Sequence, residues 1–434
     1  MTEEPQRVAG KRLVAIVAVA LMAFFGILVE TSMNVTFPTL MRTMHVSLST
    51  VQWITTGYLL TVALLMITSA FLKQRFTNRQ LFVTAALLFI LGDLICALAP
   101  NFAILLLGRL VQSGCAGIAI PLMINVIVES VPRARLGFYM GMSSLILMIA
   151  PASGPTFGGL MVSLANWRLI FWATLPIELL ILAFGVGAIQ QYSPTKDVKF
   201  NWHQFALLAV AFVAIMLGVN SLSTAGWLSW QFLGGLVLGI AALLRYVQVA
   251  KHSDKQLLKL EIFRNPIFTY SFFAYVILQF CNIGINFELP NYAQIVVGAT
   301  SLAGGLMLLP GSLITALGFT LMGQRLTVVT IAGLYIVFSI GRSMAFSNTM
   351  TNGLKEVDIT QRADANAIYN TGQQFAGSLG TTILAALMSS VKGGNLSYAH
   401  STALGSQLAF GLIAILGILN FGFYFVVFKH QKQD

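Results

Sequence analysis

Thirteen apolar stretches of spanning length constrain this chain more than any other feature. They lie at about 13–35, 50–72, 81–98, 102–128, 137–164, 169–189, 205–222, 232–249, 267–287, 301–322, 326–350, 363–388 and 404–428. In lipid every backbone polar group must be paired inside the structure, and a helix needs about 20 apolar residues to cross. The pattern therefore predicts an all-α polytopic membrane protein. Composition agrees, with 57% hydrophobic and 9% charged residues, where soluble domains carry roughly 25% charged residues. The net charge of +11 contains no long basic run interleaved with aromatics, which argues against nucleic acid as a partner and for membrane lipid.

Lysine and arginine set the orientation, because cytoplasmic loops are enriched in both. With the N-terminus in the cytoplasm, Arg7, Lys11, Arg12, Lys73, Arg75, Arg79, Arg133, Arg135, Lys196, Lys199, Arg245, Lys251, Lys255, Lys259 and Arg264 are internal, against Arg42 and Arg168 outside. Trp53, Trp167, Trp227 and Trp230 then form an outer aromatic belt. The first stretch lacks a small-residue cleavage site and predicts an uncleaved span. Beyond residue 264 the bias conflicts with the count. Arg325, Lys355 and Arg362 all favour the cytoplasm, yet one stretch, 326–350, separates them. Lys429 and Lys432 favour the inside too, which an odd number of spans from an inside start does not deliver. The conflict predicts that one helix is missing near 324–326, relative to an even-numbered ancestor.

The segment Gly154-Pro155-Thr156-Phe157-Gly158-Gly159, with Ala150 and Gly141 set back at intervals, is unusual for a helix in lipid. Glycine lets a neighbouring helix approach closely, and Pro155 removes a backbone donor and bends the segment. Such a face suits one helix rocking on another, as in a transporter.

Of fourteen acidic residues, Glu30, Asp93, Glu178 and Glu288 fall within or at the ends of spans. A charge at mid-bilayer costs roughly 2.5–3.5 kcal/mol on insertion scales, so each needs a reason. Glu30 lies about 25 Å from the inner edge, and Arg109 about 10 Å below the outer edge, at the helical rise. Asp93 falls at a similar level. A buried carboxyl near an arginine has protonated and ionised forms of comparable energy, because desolvation opposes the charge that the cation favours. That suits proton coupling by Glu30, Arg109 and Asp93. Asn34 is one turn from Glu30 and Gln112 one turn from Arg109, which gives each charge a polar neighbour. Glu178 near mid-membrane, Arg342 as a second intramembrane cation, and Asn370, Gln373 and Gln374 on one apolar segment are further cavity candidates. Glu288, just before Pro290, is expected to be solvated. A static Glu30–Arg109 pair and plain interhelical hydrogen bonding are the structural alternatives. The 31 Phe and 17 Met suit a pocket for flat apolar molecules.

Cys96, Cys115 and Cys281 fit neither a disulfide framework nor a metal site. No nucleophile elbow, phosphate loop or zinc spacing occurs, so neither an enzyme nor a metal or other cofactor is expected.

The block Gly141-x8-Ala150-x3-Gly154-Pro155-x2-Gly158-Gly159 resembles the antiporter motif on helix five of major facilitator superfamily drug exporters, with Ala150 in place of the usual glycine. Arg109-Leu-Val-Gln112-Ser113-Gly114-x-x-Gly117 is similar to that superfamily's helix-four motif. Glu30-Thr-Ser-Met-Asn34-Val-Thr-Phe-Pro38 resembles the helix-one signature of the 14-helix drug:proton antiporter branch, and Asn166-Trp167-Arg168 through Pro176 its start of helix six. Pro290-x-Tyr292-x-Gln294, Leu309-Pro310-Gly311 and Asn370-Thr371-x-Gln373-Gln374 extend the likeness.

The resemblance implies two six-helix bundles, 1–190 and 266–434, with two inserted helices in 191–265 and the second bundle one helix short. It implies proton-coupled efflux of amphipathic or cationic drug-like molecules from the plasma membrane by a monomer. By that resemblance 154–159 resists leak at the helix interface. The loop Lys73-Gln74-Arg75-Phe76-Thr77-Asn78-Arg79 departs from the family's gate loop, with Gln74 for an acid and Thr77 for a glycine, so a weaker gate relay is expected. A transport-defective protein, and an exporter of a metabolite, lipid or peptide, remain alternatives.

Overall fold

A computed structural model describes residues 10–192, 194–253, 256–302, 345, 349–358, 361–391 and 397–431. Its long helices are α1 (Gly10–Ser32), α4 (Trp53–Arg75), α5 (Asn78–Leu98), α6 (Phe102–Ser130), α7 (Arg133–Leu164), α8 (Leu169–Ala188), α9 (Trp202–Ala225), α10 (Trp230–Lys251), α11 (Pro266–Ile295), α12 (Arg362–Met388) and α13 (Tyr398–Gln431). Two short helices, α2 (Phe37–Met44) and α3 (Leu48–Val51), sit between α1 and α4. Apolar runs propagate each helix in lipid, and polar caps fix where it starts. Asn101, Asn201, Ser229 and Asn265 accept from the backbone N–H three residues on, opening α6, α9, α10 and α11.

Ten of the described helical segments are long and apolar enough to cross a membrane. They match ten of the thirteen stretches. The stretch 363–388 forms α12, which is helical and packed but lies outside that set. Most of 301–322 and 326–350, the expected gap near 324–326, Leu309-Pro310-Gly311 and Arg342 lie outside the described residues.

Helix α1 packs on α6, α7 and α8, while α5 joins α6 and α8. A second group unites α11, α12 and α13, and α9 pairs with α10. The seam between groups runs where α4 meets α12 and where α11 meets the turn after α1. Its hydrogen bonds gather at one end of the molecule. Thr56 Oγ1 lies 3.0 Å from both Thr381 and Thr382 Oγ1, and Gln294 Nε2 donates to Val35 O at 2.9 Å. Phe37 and Phe287 pack edge to face at 5.6 Å. The opposite end carries Lys73, Glu129 and the start of α11.

The last helix settles one conflict. Ser406 on α13 faces Glu288 near the Thr56 end, whereas Phe423 packs on Tyr270 and Phe273 near the start of α11. The end of α13 thus lies on the same side as the start of α1, where Arg12 reaches Ser130 O. An odd count of crossings would have placed it opposite. The aromatic belt also needs correction. Trp227 and Trp230 are 60% and 80% exposed, but Trp167 is buried, with Arg168 stacked 4.2 Å from its ring centroid.

Candidate functional site

Five helices contribute to one network around a buried guanidinium. Arg109 of α6 is fully buried and lies 4.3 Å from the ring centroid of Tyr58 on α4. Such stacking contributes about 2 kcal/mol when desolvated. Tyr58 in turn donates its hydroxyl to Gly26 O of α1 at 3.1 Å. Arg109 Nη1 donates to Gln112 Oε1, one turn along, and Gln112 Nε2 donates to Asp93 Oδ1 on α5. The second Asp93 oxygen accepts from Thr174 Oγ1 of α8 at 2.7 Å. Gly92 lets α6 approach here, because a Cβ at that position would lie 2.8 Å from the Gln112 backbone.

Glu30 is 6% exposed and within electrostatic reach of Arg109. Among the described residues the two form no direct ion pair. Asn34 does not join Glu30 as expected. Helix α1 tightens to a 3-10 turn over Met33–Thr36, which breaks the one-turn spacing, and Asn34 Oδ1 accepts from Thr55 Oγ1 at 2.8 Å. Glu178, one turn beyond Thr174, is fully buried with neither oxygen partnered.

Glu288 is not solvated. It is fully buried beside Ser406, because α11 continues past Pro290 to Ile295 and carries position 288 beneath the seam. On α12, Gln373 Oε1 accepts from Tyr275 at 2.6 Å; Gln374 is buried and Asn370 half-buried.

The proline-glycine block of α7 lies against α1 beside Glu30. A Cβ on Gly154 would overlap Thr31 and come within 2.8 Å of Leu28 O, and one on Gly158 would overlap the Ser32 carbonyl. Ser32 Oγ bonds across to Gly154 O at 2.8 Å. Gly159 faces the second group, where a Cβ would lie 2.5 Å from Ser301 O, and Ala150 and Pro155 are buried. Among the described residues a Cβ on Gly141 would meet nothing within 4 Å, so close approach to them does not extend that far.

At the far end, Lys73 pairs with Glu129 at 2.5 Å, and Asn78 Nδ2 donates to the other Glu129 oxygen at 2.9 Å. Arg75 pairs with Asp197 at 2.5 Å, and Lys196 N donates to Gln74 O at 2.8 Å. Thr77 caps α5 in a reciprocal box with Gln80, while Arg79 is exposed. The loop is therefore tied down despite lacking an acid at Gln74. Sequence reading missed Tyr58, Thr174, Asn78 and Glu129. An acid at the foot of α6 facing a basic loop was the signal available for Glu129.

The sequence profile of the Major Facilitator Superfamily matches residues 19–341. The chain belongs to that superfamily. This major facilitator is 34% identical over 409 residues to lincomycin resistance protein LmrB of Listeria monocytogenes, covering 87% of each chain. It is 31% identical to LmrB of Bacillus subtilis, with 96% of each chain covered. That alignment runs over 463 residues, longer than this chain's 434, so gaps open in this chain. Among solved structures, an inward-facing bacterial homolog of the human lysosomal transporter Spinster gives a TM-score of 0.68 at 13% identity, covering 96% of this chain and 97% of that one. The fold is that of a multi-pass membrane transporter of small molecules.

Proposed function

We propose that this transporter exports amphipathic or cationic drug-like molecules across the plasma membrane in exchange for protons, as a monomer in lipid. The carrying observation is the buried cluster of Glu30, Arg109, Gln112 and Asp93 packed beside the 154–159 block. The titratable Glu30 lies on α1, whose next residues, Thr31 and Ser32, pack on that block. The names of the LmrB relatives, lincomycin resistance proteins, support drug efflux. With the N-terminus cytoplasmic, the hydrogen-bonded Thr56 end of the seam faces outward. Residues 1–190 and 266–434 form the two bundles, and 191–265 carries the inserted helices.

In this reading Glu30 takes a proton from outside as substrate leaves, and releases it inside as substrate binds. Arg109 and Asp93 set the field around it. The 154–159 block keeps α7 close to α1 and limits leak. Gln112, Asn34, Glu178, Asn370, Gln373 and Gln374 remain candidates to line or flank the cavity. Lys73, Gln74, Arg75 and Arg79 form the cytoplasmic gate loop. A transport-defective protein is the second reading, favoured by the gapped alignment; the return of α13 to the Lys73 end removes its parity support.

The test is lincomycin and ethidium efflux from cells that express the protein, with and without a protonophore. Gradient-dependent efflux that Glu30→Gln abolishes is expected. Efflux of neither compound favours the defective reading or another cargo, which competition by metabolites, lipids and peptides would identify. Unchanged gradient-driven efflux in Glu30→Gln contradicts the coupling.

A further inference from the structure

The hydrogen-bond directions around Arg109 separate the three acids of the first bundle. A guanidinium only donates, so the amide oxygen of Gln112 faces Arg109 and its NH2 faces Asp93. Asp93 Oδ1 must therefore accept. Its other oxygen lies 2.7 Å from Thr174 Oγ1, the closest contact that hydroxyl makes. Asp93 is thus placed as an acceptor at both oxygens, the arrangement that an ionised carboxylate requires.

Glu30 and Glu178 are placed differently. Neither oxygen of the fully buried Glu178 receives a donor, and Glu30 makes no direct ion pair among the described residues. As a carboxylate Glu178 would have lost its solvation with nothing to replace it, and Glu30 would have only the charge of Arg109, felt without a direct ion pair. The other groups turned toward the cluster are Tyr58 of α4, Cys96 of α5, Gln112 and Cys115 of α6, and Thr174 of α8. All are neutral polar or thiol side chains. Among the described residues the cluster holds one guanidinium and three carboxyl groups. A dry site tolerates little net charge, so one carboxylate balances Arg109 and two stay protonated.

Resting on the exchange reading above, we propose that Asp93 is the standing counter-ion of Arg109, relayed through Gln112, while Glu30 and Glu178 carry protons in this state. Asp93 is then a positioning residue, and its role is to keep Arg109 from capturing Glu30. Freed of Arg109, Glu30 exchanges its proton for the positive charge of a substrate. On arrival of a cation the Glu30 O–H bond breaks, the proton passes to water, and the carboxylate balances the cation. No electrons move. Departure of the cation reverses the step. The substrate class follows: a monovalent organic cation displaces one proton, whereas a neutral compound displaces none. Glu178 remains a neutral acid throughout.

Infrared spectra of the purified protein in nanodiscs at neutral pH test the charge assignment without reference to transport. Asp93→Asn removes a carboxylate band, and Glu30→Gln and Glu178→Gln each remove a protonated-carboxyl band. An unchanged carboxylate region in Asp93→Asn, or an unchanged protonated region in Glu178→Gln, overturns it. Proton release on adding tetraphenylphosphonium then tests the exchange. The wild type releases about one proton per cation bound, as linkage requires. Asp93→Asn releases less than about a third of that, because Arg109 now holds Glu30 ionised beforehand. The double variant Arg109→Gln/Asp93→Asn removes both charges and restores release, which a merely structural role for Asp93 would not produce. Full release in Asp93→Asn contradicts the proposal. Should Asp93→Asn fail to fold, the double variant decides, with restored release in support and none against. A wild type that binds the cation without releasing protons retracts the exchange reading and leaves the infrared assignment standing.

Discussion

Arg109 does work that lysine cannot copy. Its planar fork donates to Gln112 while its face lies on Tyr58, and a lysine offers a point charge with neither property. Losing the stacking alone removes about 2 kcal/mol. Arg109→Lys is therefore expected to lower the thermal midpoint in detergent and to stop gradient-driven efflux while expression persists. Unchanged melting and efflux would contradict this account. The cost of charge in lipid made Glu30, Asp93, Arg109 and Glu178 legible from the sequence. The same argument passes over Tyr58 and Thr174, because a hydroxyl in an apolar stretch is cheap and common. Glu288 was misplaced for another reason: Pro290 reads as a helix end, yet α11 runs on through it to Ile295. A proline inside a helix is tolerated where neighbouring helices cover the freed carbonyl.

At the scale of elements, the contact of α7 with α1 falls at Thr31 and Ser32, next to Glu30 in the chain. Two glycines in the same helix separate cause from composition. A Cβ on Gly158 would overlap the Ser32 carbonyl, whereas among the described residues one on Gly141 would meet nothing within 4 Å. Gly158→Val forces the helices apart, and overpacking of this kind costs typically 1–3 kcal/mol. Loss of coupling, with leak of protons into proteoliposomes, is the expected result. Gly141→Ala should keep activity and gain about 0.5–1 kcal/mol from reduced backbone freedom. Equal effects at the two positions would show that α7 does not act through close approach. The block was recognisable because glycine and proline are dense there. Which of its glycines meets a neighbour was not, since that depends on how α1 and α7 cross.

For the whole molecule, the distribution of Lys and Arg gave a cytoplasmic N-terminus, while the count of apolar stretches gave an odd number of crossings. The two disagreed over the C-terminus. The contacts of Phe423 with Tyr270 and Phe273, and of Arg12 with Ser130 O, bring the start of α1 and the end of α13 to one side. Hydropathy alone could not resolve this, because it counts apolar stretches without showing how they pack, and most of the two stretches over 301–350 lies outside the described residues. Single cysteines at Gly10 and Gln431, in a chain without Cys96, Cys115 and Cys281, should label from the same side in intact cells. Labelling from opposite sides would contradict the packing of α13.

The central claim is that proton movement through Glu30 drives export. The most direct measurement uses proteoliposomes of fixed orientation, with an imposed pH gradient and a labelled cationic substrate on the cytoplasmic face. The wild type should accumulate substrate on the acidic side against its own gradient. Glu30→Gln, without the carboxylate that balances the cation, should bind it more weakly and, at saturating substrate, equilibrate it while ignoring the pH gradient. Uphill transport by Glu30→Gln equal to that of the wild type would contradict the claim.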